Sequence, residues 1–491
     1  MHRRAHETAT LLLAGFGFGA GQQIVLRELV SLLYGEEVVL MLVSAAGLLA
    51  AALGYRLGGR LSTPVLGRLL VACAALLVLS PGLPRLVVAG LCALRGGAGP
   101  ELLVVLALWA FAAAAPFTAL LPALLGRHAT AALRLAALRR GYTAELFGFA
   151  LGTAAALALG SRPGLRCALL ATVLVALIHL AVGRRRTTLA CVAGAVVACA
   201  FHGPLASRGA DLVYRTKHGF AGAQVVWSVD SPYQRVEVVR APGRGTMLYL
   251  DGLRDLDERD LATLNHYLAR VPAELIRPEQ ALLIGNGTLS MVPELSRLSG
   301  ALTTVEIDRA VVDAGARFFT PGAPLERLAN WRLVIADGKH FLAATERRFD
   351  LLVVDLPSPL TLAEAYLHTR EFYALCRARL RPGGVLSVQL SGHLGGAERT
   401  PARLVAALRA EFAEVVLVDS EAADRAFAYA SDALPFTSDD LRAAAAPGER
   451  RLTIVGGEEL ARRTADARPL ALDDLDLVLR RGAERLLARH L

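Results

Sequence analysis

None of the six cysteines stands in a CxxC pair or at a Cys/His spacing suited to a metal. That absence excludes a disulfide framework and an ordinary zinc site. Cys73, Cys92, Cys167, Cys191 and Cys199 fall in the apolar half and Cys376 in a helical pattern, so all read as small buried hydrophobes. His266, His340, His368 and His393 share no i, i+4 spacing on one helix and no consistent acidic partner. No metal is expected. The net charge of +9 comes without aromatic residues interleaved among the basic ones, which removes nucleic acid as a partner. Arginines cluster instead in short loops between apolar runs: Arg56 and Arg60, Arg134 with Arg139 and Arg140, and Arg184 to Arg186. That placement follows the positive-inside rule of membrane proteins. The first apolar run has no small-residue cleavage site and is followed by others, so it reads as an anchor.

What is present is a chain of two solvents. Of 491 residues, 54% are hydrophobic, and the excess lies almost wholly before residue 203. Apolar runs at 9–33, 37–55, 64–82, 101–125, 142–160, 166–183 and 187–203 each approach the roughly 20 residues that cross a bilayer. The expected organisation is a polytopic helical membrane bundle over 1–205, a small β-rich segment over 206–270, a Rossmann-like α/β domain over 271–440 and a helical tail over 441–491. Gln22, Gln23, Arg27 and Glu28 lie in or at the end of the first run, as an interfacial helix end or as a polar seam. Glu145 joins that seam or sits at the interface. Gly148 and Gly152 form a small-residue face suited to close helix packing. Basic loops favour a cytoplasmic N-terminus. Seven crossings would then leave the second half outside, unless 187–203 does not cross or 83–96 hides a further span. A cytoplasmic location is preferred, on the chemistry of the second half and not on topology.

The segment Ala281 to Asp308 carries the chemistry. An apolar strand enters a glycine turn at Gly285 and Gly287; a helix-length stretch follows, then a second strand ending at Glu306. In a βαβ unit such glycines let backbone approach a ligand, and an acid about 20 residues on can hold a ribose diol. Asp337 follows a third strand and Asp355 ends the apolar DLLVVD. Alternating strands and helices imply a mostly parallel sheet, whose strand ends bind ligands. Glu306, Asp337 and Asp355 should therefore converge with the glycine turn, unless each only caps a helix.

The stretches SPYQRVEVV (231–239), LLIGNG (282–287), VEID (305–308), ADG (336–338), FDLLVVD (349–355) and TREFYALCRARLRPGGVLSVQ (369–389) resemble the spermidine synthase (polyamine aminopropyltransferase) family. QQIVLRELVSLLYG (22–35) and GYTAELFGFALGT (141–153) look like spans of its membrane-fused bacterial members. The resemblance implies decarboxylated S-adenosylmethionine as co-substrate, with no tightly bound cofactor, and a small amine such as putrescine as acceptor. It implies that Gln234 contacts the nucleoside, that Gly285 and Gly287 admit the sulfonium side chain, that Glu306 holds the ribose, and that Asp337 with Gly338 holds the adenine. Asp355 aligns with the catalytic aspartate, and His266 and Ser358 fall at substrate-facing positions. The family's GGGDG turn here reads Gly285-Asn286-Gly287-Thr288-Leu289, so Thr288 replaces an aspartate, while Ser358 replaces a second acid and Asp255 a glutamine. Another adenosyl-dependent transferase, such as a methyltransferase, and a nucleoside- or polyamine-binding transporter or sensor stay open. The expected location is the bacterial inner membrane, with the bilayer as partner. The tail from 437 packs on the core or on a partner subunit, so a homodimer is one open arrangement.

Overall fold

A computed structural model describes residues 2–99, 101–128, 130–322, 325–395 and 399–490. The chain forms two compact units, one running to Pro242 with Leu250–Leu253 and the residues from Glu484, the other comprising Gly243–Tyr249 and Arg254–Ala483.

The first unit begins with helices α1 (His2–Leu32), α2 (Glu37–Gly58), α3 (Thr63–Val78), α4 (Gly82–Arg95), α5 (Glu101–Thr118), α6 (Leu120–Leu125), α7 (Ala131–Ala158), α8 (Pro163–Val182) and α9 (Arg185–Thr216). Among the described residues, α1, α2, Leu102–Leu125, α8 and α9 are long and apolar enough to cross a bilayer. The straight span expected at 64–82 is instead a pair, α3 and α4, bent by 82°. The break falls at Leu79-Ser80-Pro81, where proline lacks a donor. The stretch near 83–96 is therefore a helix. Helix α7, expected as a span at 142–160, is not among the apolar crossing helices. Residues 206–216, expected to open the β-rich segment, continue α9 to Thr216.

Helices α1 and α7 meet through glycine. A Cβ on Gly15 would stand 1.9 Å from the Glu145 carbonyl oxygen, and one on Gly148 would stand 2.0 Å from that of Leu12. Gly19 and Gly152 meet the opposing backbone as closely, at 2.2 Å. The Gly148–Gly152 face thus brings backbones into contact, as small-residue motifs do. Leu48, Leu49, Phe147, Val196 and Phe201 turn apolar side chains outwards.

Two strands complete this unit: β1 (Gln224–Asp230) pairs antiparallel with β2 (Arg235–Ala241). Glu28, read above as interfacial or seam-lining, is buried and paired. It accepts from Arg85 of α4 at 2.6 Å and from Arg235 of β2. Arg85 also meets Glu237 at 3.3 Å, while Arg235 and Arg166 reach Asp230 at 2.8 and 3.0 Å. Buried charges persist when each has opposite charge and hydrogen bonds at hand.

The second unit takes up strands β3 (Gly245–Leu250) and β4 (Leu253–Asp257) over most of their length, then an α/β core. Strands β5 (Gln280–Gly285), β6 (Ala301–Glu306), β7 (Trp331–Ile335), β8 (Phe349–Asp355) and β9 (Leu380–Gln389) pair parallel in the order β9-β8-β5-β6-β7. Their apolar runs (Ala281–Ile284, Leu351–Val354) are buried on both faces, as parallel strands between helices must be. Beyond β9 the sheet turns antiparallel through β11 (Arg425–Ser431), β10 (Glu414–Ser420) and β12 (Leu452–Gly456). The sheet is therefore mixed, where a mostly parallel one was expected. Strand β12 also corrects the wholly helical tail: Leu452–Gly456 is a short run that completes the sheet beside β10. The tail's amphipathic stretch is a helix, Asp476–His490, with Leu477 and Val478 buried.

Candidate active site

Register brings the strand ends level. Gly285 of β5 lies opposite Asp355 of β8, and Glu306 of β6 opposite Ile335 of β7, two residues before Asp337. The carboxyl ends of four neighbouring strands thus present the glycine turn, Glu306, Asp337 and Asp355 along one sheet edge, the usual ligand position in such sheets.

The turn is tight. Gly285 has φ +82°, and a Cβ there would stand 1.9 Å from the Asp355 carbonyl oxygen. A Cβ on Gly287 would lie 2.5 Å from Val311 Cγ1 and 3.0 Å from Glu306 Oε2. Gly285→Ala should destabilise the second unit by about 2–3 kcal/mol through clash and left-handed strain. A lowered thermal midpoint would establish it; an unchanged midpoint would rule it out.

Asp355 is held from two sides. Asn286 Nδ2 donates to Oδ2 at 2.9 Å, and Gln389 Nε2 donates to Oδ1 at 3.2 Å and to the Leu356 carbonyl at 2.8 Å. Arg425 Nη1 in turn donates to Gln389 Oε1 at 2.7 Å. Burial raises Asp355 above the usual carboxylate range, and the Asn286 amide and the Arg425 charge oppose that rise. Asp255 on β4 is open to solvent on one side yet crowded by protein, and that crowding, then the Asp355 carboxylate, pushes it up to about 7. Glu306 is buried and accepts from the Asp308 N–H at 2.8 Å; burial first, then the Asp308 and Asp255 carboxylates, push it up to about 7.

Other expected residues have separate employment. Asp337 caps the helix Gly338–Ala344, accepting from the His340 N–H at 2.8 Å. Gly338 is close-packed, with Ile284 Cγ2 standing 2.6 Å from where a Cβ would be. Ser358 lies half-buried in the loop after β8. His266 Nε2 is 2.8 Å from the Ala444 carbonyl, so an amine contact through that nitrogen does not hold. Gln234 lies in the β1–β2 turn of the first unit, where its N–H donates to Ser231 Oγ at 3.0 Å. Arg27 donates to the carbonyls of Ser231 at 2.6 Å and Pro232 at 3.0 Å in that same turn.

Thr288, which stands where the resembled family has an aspartate, donates to Ser290 Oγ at 3.2 Å, and Ser290 donates to Asn265 Oδ1 at 3.3 Å. Hydroxyls and amides line this part of the turn. Buried His368 is 2.9 Å from the Pro357 carbonyl through Nε2, and burial pushes it down to about 4. It is neutral at ordinary pH and ties down the loop that follows Asp355. Asn286, Gln389 and Arg425 were not among the expected site residues. Gln389 ends the quoted stretch GGVLSVQ at a strand terminus, a signal of position that names no partner, and Arg425 carries none. Among the described residues no three His, Cys, Asp or Glu side chains gather as metal ligands.

Residues 262–396 match the model of the spermine/spermidine synthase domain. This segment is similar to the spermidine synthase family. The chain is 34% identical over 192 residues to a polyamine aminopropyltransferase of Nitrosomonas europaea, covering 38% of this chain and 58% of that protein. It is 32% identical over 165 residues to the polyamine aminopropyltransferase of Thermoplasma acidophilum, covering 33% and 60%. The chain thus spans less than two thirds of the length of these curated relatives. A spermidine synthase from Thermotoga maritima superposes with a TM-score of 0.40 at 22% identity, over 45% of this chain and 79% of that one. The spermidine synthase-type domain, the Gly285 turn and Asp355 coincide within the matched segment.

Proposed function

We propose that the chain is a membrane-anchored aminopropyltransferase. It moves the aminopropyl group of decarboxylated S-adenosylmethionine to a small amine such as putrescine. The observation that carries this reading is the Asp355 carboxylate, level with the Gly285 turn and oriented by two amide donors. The acceptor is an ammonium at neutral pH and must lose a proton before it can attack. Asp355 takes that proton. The amine nitrogen then bonds to the aminopropyl carbon beside sulfur, the C–S bond breaks, and its electron pair returns to sulfur as a neutral thioether. The sulfonium is a sufficient leaving group, so these residues need only bind, orient and move a proton. Glu306 takes the ribose hydroxyls, the glycines admit the side chain on sulfur, and Gly338 with Asp337 borders the base. Asp255 supplies a second carboxylate for the cationic acceptor, where Thr288 and Ser358 supply none.

The long apolar helices before Gln224 support a membrane anchor. An inner-membrane location with the catalytic half facing the cytoplasm accords with where the nucleoside is made.

The test is calorimetric binding of decarboxylated and intact S-adenosylmethionine to the purified chain, then product analysis with putrescine. Preference for the decarboxylated form with aminopropyl transfer is the expected result. Preference for the intact form would assign a different transferase. Binding of neither would end the enzymatic reading.

A further inference from the structure

We infer that Asn286 is a positioning residue of this chain: its side chain holds the Asp355 carboxylate in the orientation that receives the acceptor's proton. The inference rests on the aminopropyl-transfer reading above. Its backbone sits at φ +54°, a left-handed conformation that asparagine tolerates better than most residues.

The orientation of the amide is determined by its own partners. Asn286 Oδ1 accepts from the Met291 N–H at 3.1 Å, a contact only oxygen can make. Nδ2 is thereby turned to Asp355 Oδ2 at 2.9 Å, with Ser290 Oγ at 3.2 Å as its second acceptor. The same logic fixes Gln389: its oxygen faces the Arg425 guanidinium, which can only donate, so its nitrogen faces Asp355 Oδ1. The Asn286 N–H also donates to the Asp355 carbonyl at 3.3 Å, so backbone and side chain of one turn residue grip one aspartate.

Each carboxylate oxygen therefore accepts one neutral amide hydrogen bond and retains acceptor capacity for the incoming ammonium. A carboxylate free to rotate in this crevice would meet the acceptor in many orientations. The two amides select one, and both favour its ionised form against burial. Asn286 reaches Asp355 directly from the turn that follows β5.

The test uses the full chain in detergent and the variant Asn286→Gly, since glycine keeps the left-handed turn available. Loss of one charge-assisted donor raises Asp355 further, so the acid limb of the kcat profile for aminopropyl transfer should move up by about one pH unit, with KM for the nucleoside little changed. A limb that stays in place, with rate lost equally at every pH, would overturn the inference. A second measurement needs no turnover. Removing the donor penalises the ionised form alone, so the gap in thermal midpoint between wild type and Asn286→Gly should widen by about 3 °C from pH 5 to pH 8. In an Asp355→Asn background the gap should not vary with pH. A constant gap in the wild-type background would reduce Asn286 to a turn residue. An absence of aminopropyl transfer by wild type, with the gap still widening, would instead remove the proposed reaction and leave the grip on Asp355 standing.

Discussion

Asp355→Asn should lower the rate of aminopropyl transfer by about a thousandfold while leaving binding of decarboxylated S-adenosylmethionine within a few-fold of wild type. The rate effect follows from the usual contribution of a positioned proton acceptor, about 10²–10⁴. The spared binding follows from the proposed division of labour at the strand ends, in which the glycine turn and Glu306 address the nucleoside and Asp355 the amine. Asparagine is isosteric but offers one acceptor oxygen, so it accepts from Asn286 or from Gln389 and the crevice keeps its shape at the cost of one hydrogen bond. Single-turnover rates with calorimetry on the same preparation check both halves. Equal loss of binding and rate would show that Asp355 holds the nucleoside or the fold. Retained turnover would remove it from the chemistry altogether.

This division was partly legible in the sequence. The Gly285 turn, Glu306 and Asp355 each end an apolar run, and a parallel sheet brings run ends together whatever the loops do. Asp337 shows the limit of that logic. A carboxylate just after a strand is also where a helix begins, and the structure has Asp337 capping Gly338–Ala344. The grip on Asp355 was not legible for a different reason. Asn286 is 69 residues from its partner and Gln389 is 34, so the contacts exist only once β5, β8 and β9 lie side by side. A glycine replaced by asparagine in a turn reads locally as a tolerated left-handed residue. Strand β12 was missed because a short run beyond the α/β repeat has no neighbour in sequence to declare its pairing. In the helical half, hydropathy located most of the helices, but the α3–α4 bend falls at Pro81, which hydropathy averaging conceals.

Glu28 shows most clearly how chain distance hides a role. Its partners Arg85 and Arg235 lie 57 and 207 residues away, so from sequence it resembles a charge waiting at a helix end. In the structure it belongs to a buried cluster with Arg85, Arg166, Asp230, Arg235 and Glu237. Arg235→Ala should therefore destabilise the first unit by about 3–5 kcal/mol, because it strands Glu28 and Asp230 without their shared cation. The identity of the cost can be tested by removing a stranded charge. Glu28→Gln in the Arg235→Ala background should recover part of the loss, whereas a purely packing defect would not respond. Acid should imitate the damage. Burial tends to raise Asp230, but the Arg235 and then Arg166 charges hold it well below the usual carboxylate range. Its contribution is thus complete above the ordinary aspartate value of about 4 and is lost as pH falls through the depressed folded value. Thermal unfolding of the full chain in detergent between pH 7 and pH 3 should show wild type losing stability on acidification more steeply than Arg235→Ala. Parallel curves for the two would mean that the cluster's charges offset one another and that Arg235 acts by filling space.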